Sequence, residues 1–195
     1  MAETSVSLLE RLQRQPGSEA WARLVDVYAP LVRGWVRRQG VAEADADDLT
    51  QEVLAVLVRE LPQFRHNGRP GAFRAWLRTI TAHRLQDFGR SRRYRPQAGG
   101  DSAALDRLDQ LQDPDSALSR LWDQEHDRHV VGRLLALVEA DFEESTWRAF
   151  RAVMLEGEKP AAAAARLGLS VNAVLLAKSR VLARLREEGQ GLIDV

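Results

Sequence analysis

Apolar residues recur at three- and four-residue intervals along almost the whole 195-residue sequence. This spacing places them on one face of an α-helix, whereas a half-buried β-strand would alternate apolar and polar residues. Proline and glycine interrupt the pattern at residues 16–17, 40, 62 and 96, which leaves segments of ordinary helical length between them. The sequence therefore predicts an all-α fold.

The composition argues against several classes of protein. The chain has no cysteine, so neither a disulfide framework nor a thiolate metal site is expected. No apolar run approaches the ~20 residues that a membrane span requires, and the first residues lack the pattern of a signal peptide. Four scattered histidines offer no convincing nucleophile–base pair. We therefore expect a cytoplasmic protein that is not an enzyme, with no cofactor, no bound metal and no membrane contact.

The net charge of zero conceals blocks of opposite sign. Residues 59–95 contain ten arginines against Glu60 and Asp87, a local charge of +8. Residues 99–146 carry −8, and residues 147–186 carry +6. Two basic blocks separated by an acidic one predict two nucleic-acid-binding domains joined by a linker that does not bind nucleic acid.

Aromatic residues are interleaved with the arginines of the first basic block: Phe64, Phe73, Trp76, Phe88 and Tyr94. Guanidinium groups can follow the phosphates of single-stranded nucleic acid while aromatic faces stack on its bases. The alternative is a helix core, because Phe73, Leu77 and Ile80 recur at helical spacing. We expect most of these aromatic residues to be buried and the arginines to bind nucleic acid.

Acidic residues and helix breakers define the elements around this block. Asp45 is expected to cap a helix that continues to Pro62, and residues 64–71 are too rich in glycine and proline to be helical. A second helix is expected from about residue 72 to residue 93. Asp113 followed by Pro114 predicts the start of a long helix, and residues 143–155 predict another.

The segment from residue 157 to residue 188 predicts a helix-turn-helix. A short alanine-rich helix is followed by glycine in the turn at Gly168 and by a longer helix capped by Ser170. One face of the longer helix is assigned to the core: Val174, Ala177, Val181 and Leu185. A tight helical hairpin without DNA binding would show the same pattern. The basic residues of the second helix favour DNA binding.

Three motifs together resemble bacterial RNA polymerase sigma factors of the extracytoplasmic-function (ECF) group. Residues 45–53, DADDLTQEV, resemble the polymerase-binding motif of that group. Residues 73–80, FRAWLRTI, followed by Arg84, Asp87 and residues 90–93, resemble its promoter-melting helix. Residues 168–171 with Val174 resemble its −35-reading helix-turn-helix. The sequence departs from the family pattern at His83, where asparagine is common, and at residues 175–177, LLA.

The resemblance implies a promoter-specificity subunit that binds core RNA polymerase through its β′ and β subunits and recognises duplex and melted promoter DNA. It also implies a possible anti-sigma partner. The residues expected against β′ are Asp48, Gln51 and Glu52. Those expected at the −10 element are Phe64, Asn67, Arg74, Trp76, Arg78, His83, Arg84, Arg90, Arg92 and Arg93. Those expected at the −35 element are Ser170, Asn172, Leu175, Leu176, Lys178, Ser179 and Arg180.

The expected organisation is two small helical domains joined by a flexible acidic linker: residues 1–95, the linker 96–114, and the helix-turn-helix domain 115–195. Two alternatives remain open, namely a helix-turn-helix regulator of duplex DNA and a helical protein-interaction adaptor. His126 and His129, at helical spacing among acidic residues, could in principle bind a metal. We interpret them instead as part of a solvated helix face.

Overall fold

The computed structural model describes residues 19–65, 69, 71–93 and 110–190, together with Leu12 and Leu192. Within these residues the backbone forms helices and no β-strand, so the predicted all-α fold is confirmed. The helices are α1 (Glu19–Arg38), α2 (Glu43–Glu60), a 3₁₀ turn (Leu61–Gln63), α3 (Ala72–Arg93), α4 (Ala117–Glu139), α5 (Glu144–Met154), α6 (Pro160–Leu167) and α7 (Val171–Gly189).

Crossing a bilayer requires a helix that is both long and apolar. None of them alone is long and apolar enough to cross a bilayer. Helices α6 and α7 pass that test of length and composition only when they are counted together, and the chain bends by 108° between them.

The described residues fall into two contact units that divide inside α4. One unit extends up to Val130, and the other comprises Val131–Gln190. The sequence placed the boundary earlier, at residue 115. The difference arises because the first half of α4 packs on the N-terminal helices, with Trp122 fully buried. The predicted division into residues 1–95, 96–114 and 115–195 stays a prediction, and most of the proposed linker lies outside the described residues.

The N-terminal unit is built around α1, α2 and α3. Their apolar stripes form its core: Leu24, Tyr28, Val32, Trp35, Leu49, Val53, Leu57, Phe73 and Leu77. Helix α1 continues through Pro30, where the sequence suggested a kink or a new start. The indole rings of Trp35 and Trp122 lie 4.9 Å apart between centroids, which fixes the first half of α4 against α1.

The C-terminal unit contains two small clusters of buried residues. The first consists mainly of alanines: Ala149, Ala152, Ala163, Ala164, Val174 and Ala177. Because alanine side chains are short, α5, α6 and α7 can approach closely there. The second cluster contains Val138, Trp147, Phe150 and Val181, with Leu185 partly buried against it. The predicted core face of α7 is therefore confirmed.

Residues 168–170 join α6 to α7. Gly168 has a φ of 68°, which a glycine adopts readily, and the Ser170 hydroxyl accepts a hydrogen bond from the Ala173 amide. The prediction that Asp45 caps α2 was wrong, because the helix begins at Glu43 and Asp45 lies in its first turn.

The predicted start of α4 was also wrong. Asp113 accepts a hydrogen bond from the Asp115 amide and shapes a preceding turn. The Ser116 hydroxyl accepts a hydrogen bond from the Ser119 amide at 2.9 Å, and the helix begins at Ala117. A serine thus takes the capping role three residues after the aspartate.

Candidate polymerase and nucleic-acid interfaces

The acidic residues at the start of α2 divide into two groups. Arg33 of α1 binds both Glu43 and Asp47, the latter at 2.5 Å between Nε and Oδ1. The hydrogen bond from Arg33 lowers the pKa of the Asp47 carboxyl. These contacts join α2 to α1 and are structural.

The second group consists of Asp48, Gln51 and Glu52, the residues that the sequence assigned to polymerase binding. All three side chains are exposed. Their spacing of three and four residues places them on one face of α2. The helix therefore presents a compact surface of two carboxylates and one amide, which is chemically suited to a basic protein partner.

Three aromatic side chains meet between the 3₁₀ turn and α3. The rings of Phe64 and Trp76 lie 4.8 Å apart between centroids and are inclined by 31°, and Phe73 lies 5.7 Å from both. Phe73 is buried, whereas Phe64 and Trp76 are half-buried. The prediction that most aromatic residues of the first basic block are buried was therefore wrong: only Phe73 is buried among those described, Phe88 is half-buried like Phe64 and Trp76, and Tyr94 lies outside the described residues. The half-buried rings retain exposed surface.

An open cavity of about 390 Å³ lies beside these two half-buried rings. Arg59, Glu60 and Gln63 line it together with Phe64 and Trp76. The sequence reasoning missed the first three of these residues. Their position within five residues of Phe64 was the signal that could have identified them.

The arginines of α3 occupy two different environments. Arg78 is only 4% exposed, and its Nη1 lies 2.8 Å from Oδ1 of Asp123. Arg74 contacts Asp127 at 2.7 Å and Asp123 at 3.5 Å. These two predicted DNA-binding residues are thus engaged by α4.

The other predicted −10 residues are distributed along the rest of the segment. His83 and Arg90 are exposed, and Arg84 is half-buried. Both arginines lie within 3.7 Å of Asp87. Arg92 and Arg93 belong to the last turn of α3, but their side chains lie outside the described set, as does Asn67.

The first half of α4 is not the solvated face that the sequence suggested, and that prediction was wrong. His126 is fully buried, with Nε2 3.4 Å from the Tyr28 hydroxyl and Nδ1 3.0 Å from Asp127. Nε2 of His129 donates a hydrogen bond to the carbonyl of Val27 at 2.6 Å. Across the described residues, no group of three or more His, Cys, Asp or Glu side chains could hold a metal ion.

Burial and neighbouring charges shift the pKa values of Tyr28 and Asp127. Burial, with a further contribution from the charge of Asp127, raises the pKa of the Tyr28 phenol well above its ordinary value. Burial alone would raise the pKa of Asp127. The hydrogen bond to His126 and the charge of Arg74 outweigh that effect, and the pKa of Asp127 lies below its ordinary value.

The direction of the Asp127 shift predicts a pH dependence. A carboxyl whose pKa is lower in the folded state stabilises the fold above its unfolded pKa, and that contribution disappears as the pH falls through the folded pKa. We expect Asp127→Asn to lower the free energy of unfolding at pH 6, and we expect this deficit to diminish as the pH falls below the ordinary pKa of an aspartate. Urea unfolding of both proteins at neutral and acidic pH measures this difference in the free energy of unfolding. A difference that does not diminish at acidic pH would contradict the lowered pKa of Asp127.

Helix α7 presents most of the predicted −35 residues to solvent. Ser170, Asn172, Leu175, Leu176, Ser179 and Arg180 are exposed, and Lys178 is half-buried. Arg184 contacts Asp141 at 2.8 Å and Glu188 at 2.9 Å. The exposed face therefore combines leucines with hydrogen-bonding groups and one exposed arginine, whereas Arg184 stabilises the unit itself.

Comparison with known proteins identifies the family of the chain. Residues 24–95 match the family model for sigma-70 region 2. The ECF RNA polymerase sigma factor SigD of Mycobacterium tuberculosis is 32% identical over 157 residues, which cover 80% of this chain and 66% of SigD. The chain belongs to the ECF sigma-factor family. The resemblance seen in the motifs is thereby confirmed, and this sigma factor spans 66% of the length of SigD.

Two further similarities extend the comparison. The ECF RNA polymerase sigma factor BldN of Streptomyces coelicolor is 32% identical over 93 residues, which cover 47% of this chain and 34% of BldN. A solved structure of CnrH in complex with the cytosolic domain of CnrY is 24% identical. That match covers 91% of this sigma factor and 92% of the CnrH chain, with a TM-score of 0.36.

Proposed function

We propose that this sigma factor binds core RNA polymerase, recognises −35 and −10 promoter elements, and promotes transcription initiation. The observation that carries the proposal is the match of residues 24–95 to sigma-70 region 2. That range contains both the exposed Asp48–Gln51–Glu52 face and the half-buried Phe64–Trp76 pair. A polymerase-binding surface and a base-stacking surface thus lie in one segment.

The first role belongs to α2. Asp48, Gln51 and Glu52 contact a basic surface of the β′ subunit, and the β subunit completes the contact with the polymerase. The neighbouring residues Glu43 and Asp47 are engaged by Arg33 and keep α2 in place on α1. Because the two groups point to different partners, binding can be weakened without loss of the fold.

The second role belongs to the cavity at Phe64 and Trp76. Extruding a base from a duplex costs a few kcal/mol of stacking, which a specific pocket must offset. Stacking on an aromatic side chain contributes about 1–3 kcal/mol per base. The half-buried rings supply the stacking surface, and the Asn67 side chain supplies a donor and an acceptor. His83, Arg84 and Arg90 follow the backbone of the melted strand.

The third role belongs to α7, which enters the major groove at the −35 element. Asn172, Ser179 and Arg180 are exposed hydrogen-bonding groups, and Leu175 and Leu176 can contact thymine methyl groups. Ser170 and Lys178 contact the DNA backbone at the start and middle of the helix.

This function requires no cofactor and no active site of its own, and it is carried out in the cytoplasm, where the polymerase and the chromosome are. An anti-sigma partner stays a prediction from the family resemblance. A helix-turn-helix regulator of duplex DNA would not need the acidic face of α2, and an adaptor would not need it to bind core polymerase. Measuring the binding of α2 variants to core polymerase therefore separates the proposal from both alternatives.

Reversing two charges on α2 tests the proposal. We expect Asp48→Arg with Glu52→Arg to weaken binding to core polymerase at least tenfold, which is about 1.4 kcal/mol, because like charges then face the β′ surface. The helical circular dichroism signal should be unchanged, since both side chains are exposed. The matched control is Glu139→Arg with Glu187→Arg, which reverses two charges at exposed positions of α4 and α7. Equal polymerase affinity of the double variant and the control would refute the assignment.

A further inference from the structure

Three large apolar side chains are exposed within residues 171–176, at the start of α7. Val171, Leu175 and Leu176 are 44%, 46% and 47% exposed. The other exposed large apolar side chains of the described residues are distributed over α2, α4 and the end of α5. Apolar surface that is concentrated on one short segment indicates contact with another molecule, whereas single exposed apolar residues need no explanation.

The exposed face of α7 consists of two rows of residues that are four apart. All six side chains of these rows are exposed: Val171, Leu175 and Ser179 in one row, and Asn172, Leu176 and Arg180 in the other. The opposite face packs in the core through Val174, Ala177 and Val181, which fixes the direction of both rows. A leucine stands in the middle of each row, so the centre of the exposed face has neither a hydrogen-bond donor nor an acceptor.

The surroundings of these rows suit duplex DNA. A turn of three residues, 168–170, joins α6 to α7, and the chain bends there by 108°. DNA-binding helix-turn-helix motifs have a short turn of this kind and an angle of about 90–120°. No acidic residue occurs from Val171 to Arg186, so α7 can lie between the phosphates that border a major groove. In that setting the apolar centre of the helix faces the base edges.

Leucine discriminates between bases by contact and by exclusion of water. Thymine is the one base that presents a methyl group in the major groove, and the edges of guanine, adenine and cytosine present polar atoms that form hydrogen bonds there. A leucine that covers such an atom removes its water and supplies no partner, which is unfavourable. A leucine that covers a methyl group buries apolar surface on both molecules, which is favourable.

We propose that Val171, Leu175 and Leu176 form a methyl-reading surface that fixes thymine at the centre of the −35 element. The inference rests on the proposed function and specifies what α7 recognises there: a methyl group at C5 of a pyrimidine, and not a pattern of hydrogen bonds. Val171 is an additional specificity-determining residue, because it lies one turn before Leu175 in the same row. 5-Methylcytosine carries a methyl group at the same ring position, so it can take the place of thymine.

Selection of duplex DNA, followed by removal of single methyl groups, tests the inference. The full chain, without polymerase and at low salt, is used to select from a pool of duplexes with a randomised central segment. We expect the selected duplexes to share at least one position occupied by thymine. Deoxyuridine lacks only the methyl group, and placing it there should weaken binding about fourfold, which is about 0.8 kcal/mol for one buried group of that size. Fluorescence anisotropy of labelled duplexes measures the affinities.

Variants connect this loss of affinity to the leucines. Leu175→Ala with Leu176→Ala should bind the thymine and deoxyuridine duplexes equally. Leu175→Met with Leu176→Met keeps two large apolar side chains and should retain the preference for thymine. The matched control is Met154→Ala with Leu155→Ala, which removes two exposed apolar side chains at the end of α5 and should retain the fourfold preference. Because all four side chains are exposed, each variant is expected to fold.

A methylated cytosine distinguishes reading of the methyl group from reading of the thymine carbonyl. Replacing the selected T·A pair by C·G should weaken binding by the wild-type chain. Methylation of that cytosine at C5 should then increase the affinity about fourfold. The double alanine variant should bind the methylated and unmethylated duplexes equally.

Equal binding of thymine and deoxyuridine by the wild-type chain would overturn the inference, as would a selection that yields no preferred thymine. A preference for thymine that survives in the double alanine variant would also overturn it, because other side chains would then read the methyl group. The rival occupant of this apolar face is a protein. Weaker binding of the double alanine variant to core polymerase, without any thymine preference in the wild type, would favour that rival.

Failure of the wild-type chain to bind core polymerase would instead count against the proposed function. The selection and the titrations contain no polymerase, so they decide the inference separately from that result.

Discussion

Replacing Trp122 by alanine is expected to lower the free energy of unfolding by about 3–5 kcal/mol, as for other buried tryptophans. Trp122 is fully buried and packs on Trp35 at 4.9 Å between ring centroids. The substitution leaves a cavity between α1 and α4 and removes much of the apolar contact that joins them. Urea unfolding of the full chain, followed by far-ultraviolet circular dichroism, measures the change.

The neighbouring residue provides a matched control. Leu121 is on the same helix but is 42% exposed, so Leu121→Ala should change the stability by less than about 1 kcal/mol. Similar losses for the two variants would show that the first half of α4 does not pack on the N-terminal helices in solution. The N-terminal unit would then not extend to Val130.

Replacing Trp76 by alanine is expected to reduce the rate of opening of a duplex promoter about 5- to 150-fold. This range corresponds to the loss of one base stacked on an aromatic ring, about 1–3 kcal/mol. Trp76 lines the cavity beside Phe64 and retains exposed surface. Opening is followed by the reactivity of unpaired thymines to permanganate in the presence of core polymerase.

Two comparisons separate base stacking from damage to the fold. Trp76→Phe keeps an aromatic face and should retain most of the opening activity. Transcription by Trp76→Ala from a template with a pre-melted −10 region should be largely restored, because the base is already extruded there. If Trp76→Ala opens the duplex at the wild-type rate, the cavity is not the site of base capture.

The features that follow from short stretches of sequence could be predicted. The stripe of Phe73, Leu77 and Ile80 on α3 and the core face of α7 both depend on a repeat within one helix. Ser170 caps α7 because its hydroxyl reaches an amide three residues away. In each case the partners are close in sequence, so the pattern alone contains the information.

The predictions that were wrong depend either on a choice between two capping residues or on contacts between residues far apart in the sequence. Asp113 and Ser116 are both good capping residues, and only the backbone decides that Ser116 caps α4. The burial of His126 against Tyr28 joins residues 98 positions apart, which no helical repeat reveals. The opposite charges of residues 59–95 and 99–146 were the one sequence signal that could have suggested that the first half of α4 packs near α3.

The candidate site is predictable to a similar extent. The exposed face of α2 follows from helical spacing, because Asp48, Gln51 and Glu52 alternate with buried residues such as Leu49. The difference between Arg78, which is buried against α4, and the exposed Arg90 does not follow from the sequence. Both belong to the same run of arginines, and only the tertiary contact with Asp123 distinguishes them.

Transcription in a purified system tests the central claim most directly. Core RNA polymerase, this sigma factor and a library of genomic promoter fragments are combined, and the transcripts and the protected DNA are mapped. The proposed function predicts transcripts with defined starts that need both proteins, with protection upstream over −35 and −10 elements. Failure of the protein to bind core polymerase, together with the absence of transcripts that depend on it, would contradict the proposed function.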